Sequence, residues 1–295
     1  MFQVKKILIT GASGFVGRHL VSFFKEKGYP IYALVRKKHT DIAAPQICGD
    51  LLDPRSIQQA LKGITHVIHT ASIINSNNPL IEKVNVAGTK TLVELSTKGG
   101  VGKIIYLSTE NVAFDIPNLY TKTKQKAEEI IRSFPNYAIV RPSLIYGEGE
   151  RLYFDKLIHI IKTWPIIPIL GNGKNLFQPV FISDLLICLS QILEKDLKGI
   201  FTIAGGAPLS YEELINSLMK HLNVRKKKFF IPLKILIPFL ALYEKIHPKP
   251  LMDRNRLKNF SMDKIHDVST AQKLFNAKFL QFSEGLPKFL KARQG

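Results

Sequence analysis

The sequence predicts an α/β fold: a doubly wound parallel sheet with a smaller, mostly helical C-terminal lobe. Three observations carry this expectation. Through the first half of the chain, short β-branched apolar runs alternate with longer helical patterns, as a parallel sheet covered by helices requires. Those runs are unbroken rather than alternating, which is how strands buried on both faces read. A glycine-rich turn, GASGFVG, follows the first strand and opens the first helix.

Taken in order, residues 6–10 read as a strand, 11–17 as the turn and 18–27 as a helix stopped by Gly28. A second strand covers 31–35, and 45–48 leads into Gly49-Asp50 with a short helix over 55–61. Residues 67–69 form the next strand, followed by an amphipathic helix over 80–97 that ends at Gly99-Gly100. A strand at 103–107, a helix at 119–133 and a strand at 137–140 running into Arg141-Pro142 complete the alternation, which stops after Gly147. Beyond it, 153–163 reads as a helix ended by Trp164-Pro165. Val180-Phe181 and residues 201–203 read as short strands returning to the first sheet around a helix at 184–193. The expected division is a nucleotide-binding domain over 1–147, with 176–206 returning to it, and a lobe of 148–175 and 207–295.

Composition narrows the class. A chain of 295 residues can bury roughly 75% of the surface its unfolded form exposes, so it needs no disulfide or metal to fold. Cys48 and Cys188 are too few for a disulfide framework or a zinc site, and a reducing cytoplasm is the simplest setting. The amino-terminal apolar run is too short for a secretory signal. The greasy stretch 229–243 carries Pro232, Lys234 and Pro238, which argues against a membrane span. The net charge of +19 is accompanied by no nucleic-acid recognition motif, so nucleic acid is not the expected partner. The run Arg225–Lys228 leading into apolar bulk leaves two readings for 224–243: a helix on an anionic bilayer surface, or a lobe helix packed on the core.

Gly11, Gly14 and Gly17 suit a tight turn where a pyrophosphate approaches bare backbone and rests on the positive end of a helix. At the end of the second strand, where an acidic residue would take a ribose 2′-hydroxyl, stand Arg36, Lys37 and Lys38. Three cations suit a 2′-phosphate, so NADP is favoured over NAD. Asp50, after the third strand, is placed to accept a hydrogen bond from an adenine amino group. Tyr120 and Lys124 are four apart at the start of a helix and share one face. A neighbouring ammonium and a cationic nicotinamide would stabilise the phenolate and bring its pKa toward the working range. Ser108 and Thr109 end the strand upstream, where a hydroxyl can meet a substrate carbonyl.

With these motifs in order, the chain resembles the extended, or atypical, short-chain dehydrogenase/reductase superfamily, of the NAD-dependent epimerase/dehydratase type. HVIHTAS (66–72), NVAGTKTLVE (85–94), VRPSLIYGEG (140–149), PVFISDL (179–185) and FTIAGG (201–206) carry the likeness beyond the glycine turn and YTKTK. The resemblance implies a Rossmann fold, with Tyr120 as general acid/base and Lys124 as its pKa modulator and ribose anchor. Thr109 would polarise the substrate, with Ser108 as its rival. Cofactor contact is implied at Ser13, Phe15 and Val16 within the turn, and at Leu51 beside Asp50. Ala71 and Ser72 would lie on the pyrophosphate side and Asn85 under the site, with Pro142 also on the cofactor. Family members often dimerise through helices like 80–97 and 119–133, so a homodimer is one implied state.

Departures from the sugar-nucleotide members are informative. Leu144 stands where an Asn contacts substrate, Phe177 where an Arg meets the diphosphate, and Asn111 where a dehydratase carries an acid/base Glu. A buried diphosphate needs such partners, so a small-molecule substrate of apolar or quinone-like kind is expected if Leu144, Trp164, Phe177 and Phe181 face the cleft; core packing is the alternative for them. The run 164–184 and the tail LMDRNRLKNF also resemble a narrower branch, the accessory subunit of respiratory complex I and its bacterial relatives. That likeness implies the alternative of a nucleotide-holding accessory or assembly protein of a membrane respiratory complex, with little or no turnover.

Overall fold

A computed structural model describes residues 4–293 other than 115, 117, 237, 239 and 241–261. The tail LMDRNRLKNF and the end of the 224–243 segment therefore lie outside the described residues. The chain divides into two compact units, residues 1–142 with 185–203, and residues 143–184 with 204–295.

The first unit is built on a seven-stranded sheet. Its strands are β1 (Ile7–Thr10), β2 (Ile31–Val35), β3 (Gln46–Cys48), β4 (His66–His69), β5 (Lys103–Leu107), β6 (Tyr137–Pro142) and β11 (Gly199–Ile203), in the order β11-β6-β5-β4-β1-β2-β3. Every pairing is parallel. The strand order reverses at β1, which pairs with β2 on one side and β4 on the other, and such a reversal opens a crevice at the carboxyl ends of the strands. Register places Thr10 of β1 directly beside His69 of β4.

Helices α1 (Phe15–Glu26), α2 (Pro54–Ala60), α3 (Thr89–Lys98), α4 (Leu119–Arg132) and α6 (Ile182–Glu194) are each amphipathic or apolar in the way a sheet cover must be. Leu8, Ile57, Val67, Leu92, Ile104, Ile131 and Ile139 belong to one buried core between sheet and helices. The helix expected over 80–97 has one unforeseen feature: its first part, Lys83–Gly88, is π-helical before α3 proper begins. Gly88 there lies flat on Leu51, where a β-carbon would come within 2.9 Å of the Leu51 Cβ.

The second unit contains α5 (Phe154–Thr163), α7 (Tyr211–His221), further helices at Ser269–Leu274 and Phe282–Ala292, and three two-stranded sheets. These pair β7 (Ile145–Tyr146) with β10 (Val180–Phe181), β8 (Ile166–Leu170) with β13 (Lys227–Ile231), and β9 (Leu176–Phe177) with β12 (Leu209–Ser210). The expectation for Val180-Phe181 is thereby corrected. It pairs with β7 instead of returning to the large sheet, because β11 occupies the β6 edge and β10 runs straight into α6. The core of this unit is aromatic: Tyr146 lies 5.4, 5.2 and 5.1 Å from Phe154, Phe181 and Phe282. No helix among the described residues is long and apolar enough to cross a membrane.

Candidate active site

The glycine turn is compact because its atoms leave no room for side chains. Gly11 has φ +71°, and a β-carbon on it would come within 2.6 Å of the Ala71 amide nitrogen. On Gly17 it would lie 2.1 Å from the Gly11 carbonyl oxygen. The turn is closed by the Gly14 amide donating to Gly11 at 2.9 Å. Gly14 is the N-cap of α1, supplies no side-chain cap, and no acidic residue sits in the first turn. The opening amides of α1 are thus left for an external acceptor, and the helix dipole favours an anion there. Ser13 and Gly14 are exposed, Phe15 and Val16 half-buried. Arg18, unmarked in the sequence reading, donates from Nε to the Ser13 carbonyl at 3.0 Å and pairs with Asp41. Its cue was its position directly after the third glycine.

Beyond β4 the chain is held by a buried hydrogen-bond relay. Thr10 Oγ1 meets His69 Nδ1 at 2.6 Å, His69 Nε2 meets Thr89 Oγ1 at 2.9 Å, and Thr89 donates to the Asn85 carbonyl at 2.7 Å. Burial, reinforced by nearby Lys124, drives the His69 pKa down to about 3, so the ring is neutral. Asn85, on the π-helical turn, exchanges two bonds with the backbone of Ile73 at 2.8 and 2.9 Å and donates a third to Thr123 Oγ1 at 3.1 Å. This clamp sets the loop that carries Ala71 and Ser72, and ties it to the helix that carries Tyr120.

Helix α4 begins at an Asn118 cap whose side chain accepts from the Thr121 amide at 2.8 Å. Tyr120 is half-buried, one turn ahead of fully buried Lys124. Burial pushes the phenol up to about 12, while adjacent Ser72 pulls it the other way. The Ser72 hydroxyl is itself buried and has no completed hydrogen bond. Lys124 donates to the Leu107 carbonyl at 2.6 Å and lies 4.1 Å above the Tyr106 ring. Desolvation lowers its pKa to about 7, against the upward pull of Glu128. Burial thus acts on both groups, tightening the Tyr120 proton and loosening that of Lys124. Ser108 is buried and donates to Glu128 at 2.6 Å, and Arg141 grips the same carboxylate at 2.9 and 2.5 Å. Thr109 is half-buried, and its Oγ1 accepts from the Asn111 amide at 3.3 Å.

Of the remaining residues singled out, Arg36 and Lys37 are exposed at the end of β2. Asp50 accepts from the Leu52 amide at 2.9 Å, with Leu51 buried beside it, and Pro142 closes β6. Phe177 and Phe181 are core residues, packed on Tyr211 at 6.1 Å and Tyr146 at 5.2 Å, which answers the either-or posed for them. Trp164 is 48% exposed and Leu144 half-buried, so the four apolar residues do not form one wall. Glu128 and His69 are site neighbours that the linear sequence did not flag, because their partners lie on other strands.

The uncapped amides that open α1 at exposed Gly14, and the buried Ser72 hydroxyl nearby in the first unit, fit a dinucleotide laid across this edge. A family model described as the NAD dependent epimerase/dehydratase family matches residues 7–204. Sterol-4-alpha-carboxylate 3-dehydrogenase, decarboxylating, of Mus musculus is 29% identical over 264 residues, covering 78% of this chain and 72% of that protein. The mitochondrial NADH dehydrogenase (ubiquinone) 1 alpha subcomplex subunit 9 of Dictyostelium discoideum is 26% identical, over 72% of this chain and 62% of that one. Among solved structures, MoeE5 in complex with UDP-glucose and NAD superposes with a TM-score of 0.77 at 22% identity, covering 98% of each chain.

Proposed function

The chain belongs to the NAD dependent epimerase/dehydratase family and is an oxidoreductase or epimerase of that kind; on this premise we propose that it oxidises or reduces a carbinol or carbonyl carbon of a small apolar molecule, using NADP. The observation that carries the reading is one juxtaposition in the first unit. Tyr120 lies beside Ser72, in the loop after β4, and Lys124, from the next turn of the same helix, reaches the last residue of β5.

A nicotinamide nucleotide, when bound, supplies or accepts the hydride. The protein's part is to align and to move a proton. The glycine turn and the first amides of α1 would hold the diphosphate, and the Asn85 clamp fixes the loop carrying Ala71 and Ser72. Tyr120 Oη gives its proton to the substrate oxygen, or takes it back in the reverse direction. Lys124, one turn further along the same helix, is assigned as modulator of the phenol's pKa and would anchor the ribose. Thr109 is assigned the hydroxyl that polarises the substrate, because Ser108 already serves Glu128.

Arg36, Lys37 and Lys38, all exposed after β2, support NADP over NAD. The apolar substrate class draws on the sterol-acting relative, and the sequence lacks the Asn and Arg with which sugar-nucleotide members meet their substrate. Tyr120→Phe is expected to keep NADPH binding within about twofold and to lower turnover of hydroxysteroid and 3-oxoacyl test substrates by about 10²–10⁴. Unchanged turnover would remove Tyr120 from the mechanism. A second reading, a nucleotide-holding accessory protein of a respiratory complex, draws on the Dictyostelium relative. It requires co-purification with that complex and retained nucleotide without turnover.

A further inference from the structure

We propose that the outer face of the β8–β13 sheet is a docking surface for an anionic phospholipid bilayer. The two strands are parallel, and register sets Ile166 beside Lys227, Pro168 beside Phe229 and Leu170 beside Ile231. The alternate residues Ile167 and Ile169 are fully buried, so β8 turns one apolar face inward, while Phe230, beside Ile169, is still 40% exposed. Lys228 turns inward as well, its ammonium paired with Glu212 and bonded to Asn216 at 3.0 Å, both on α7.

The opposite face carries Lys227 among apolar residues and is part-exposed, with Pro168, Leu170 and Ile231 half-buried. Ile166 is 48% and Phe229 61% exposed, with Trp164 just ahead of β8 and Ile235 just past β13 likewise in solvent. Ile166 and Phe229 on the sheet, with Trp164 and Ile235 flanking its two ends, put four large apolar side chains in water, and apolar exposure of this kind marks interaction sites. The sequence reading treated 224–243 as one helical segment. The structure instead makes Lys227–Ile231 a strand and brings it beside the stretch around Trp164, some sixty residues earlier.

Charge selects the occupant. Lys162, Arg225, Lys227 and Lys234 are all exposed around the patch. Lys226 is anchored on the carbonyls of Lys162 and Trp164 at 2.8 and 2.6 Å, which fixes the aromatic corner against its cationic rim. A second copy of the chain would bring cations against cations. Nucleic acid would meet an apolar centre with no phosphate to offer it. A bilayer with anionic headgroups satisfies both parts at once, taking the apolar side chains below the headgroups and the cations among them, with the indole at the boundary.

Trp164 is the chain's single tryptophan, so its emission reports the patch directly. The full chain is titrated with phosphatidylcholine vesicles, with and without phosphatidylglycerol, and followed by fluorescence and co-sedimentation. The expected result is a blue shift and sedimentation with the anionic vesicles alone. Phe229→Ser is expected to weaken partitioning about tenfold, and Lys227→Gln about fivefold; both residues are exposed, and an unchanged circular dichroism spectrum and melting temperature confirm that the variants fold. Three outcomes overturn the proposal. They are no response to anionic vesicles, equal binding to neutral ones, or a blue shift that grows with protein concentration without lipid, which would assign the face to a second copy.

Discussion

Lys124 is under electrostatic tension, because burial strips its ammonium of water. Its folded pKa of about 7 lies well below the unfolded value near 10.4, so between those limits the unfolded chain binds more protons. Stability from this residue therefore rises with pH from about 7 to about 10, and the full burial cost stands below pH 7. Lys124→Met should flatten that slope, read as the pH dependence of urea unfolding in parent and variant. Arg36 and Lys37 belong to the same scale. The double change to Ala should raise the NADPH dissociation constant more than about tenfold by calorimetry and leave NADH within about twofold. The Tyr120-Lys124 pair was legible because both members lie on one helix, four residues apart. The cluster of Ser108, Glu128 and Arg141 was not. Its three members come from β5, α4 and β6, and nothing in their spacing along the chain announces a shared carboxylate.

At the scale of elements, helix α5 shows how an end can be secured without a conventional cap. The Glu150 carboxylate accepts from the amides of Leu152 and Tyr153 at 2.7 Å, Phe154 at 2.9 Å and Asp155 at 3.3 Å. These bonds satisfy amides the helix cannot satisfy itself and place a charge at its positive end. Glu150→Ala should cost about 2 kcal/mol in chemical denaturation, with Glu150→Gln recovering part of the loss. The central strands and their helices were readable as unbroken apolar runs separated by glycine. Strands β8 and β13 were not. Pro165 and Pro168 argue against a strand, yet a two-stranded sheet has only edges, where proline is tolerated. Its partner begins with lysines, residues that seldom signal a strand. The π-helical turn was equally hidden, and so was the packing of its Gly88 on Leu51, far away in sequence.

Across the whole molecule, the fold class was accessible because the alternation of strand and helix admits few parallel arrangements, and the glycine turn fixes where the crevice opens. The charge of +19 acts at this scale as well. Association of NADPH, followed by stopped-flow fluorescence quenching, should slow as salt rises from about 20 to about 500 mM, because long-range attraction is screened while contacts made after docking are not. The seven-stranded sheet, finally, is assembled from two separated pieces of chain, since β11 comes from residues 199–203 while its neighbour β6 ends at 142. A nascent polypeptide emerging from the ribosome therefore carries an open, hydrogen-bond-hungry edge until the later piece arrives, and non-local closure of that kind is slow. Any fragment that stops near residue 142 inherits the same sticky border for good, which makes truncation at the apparent domain boundary a route to aggregates instead of to a smaller nucleotide-binding protein.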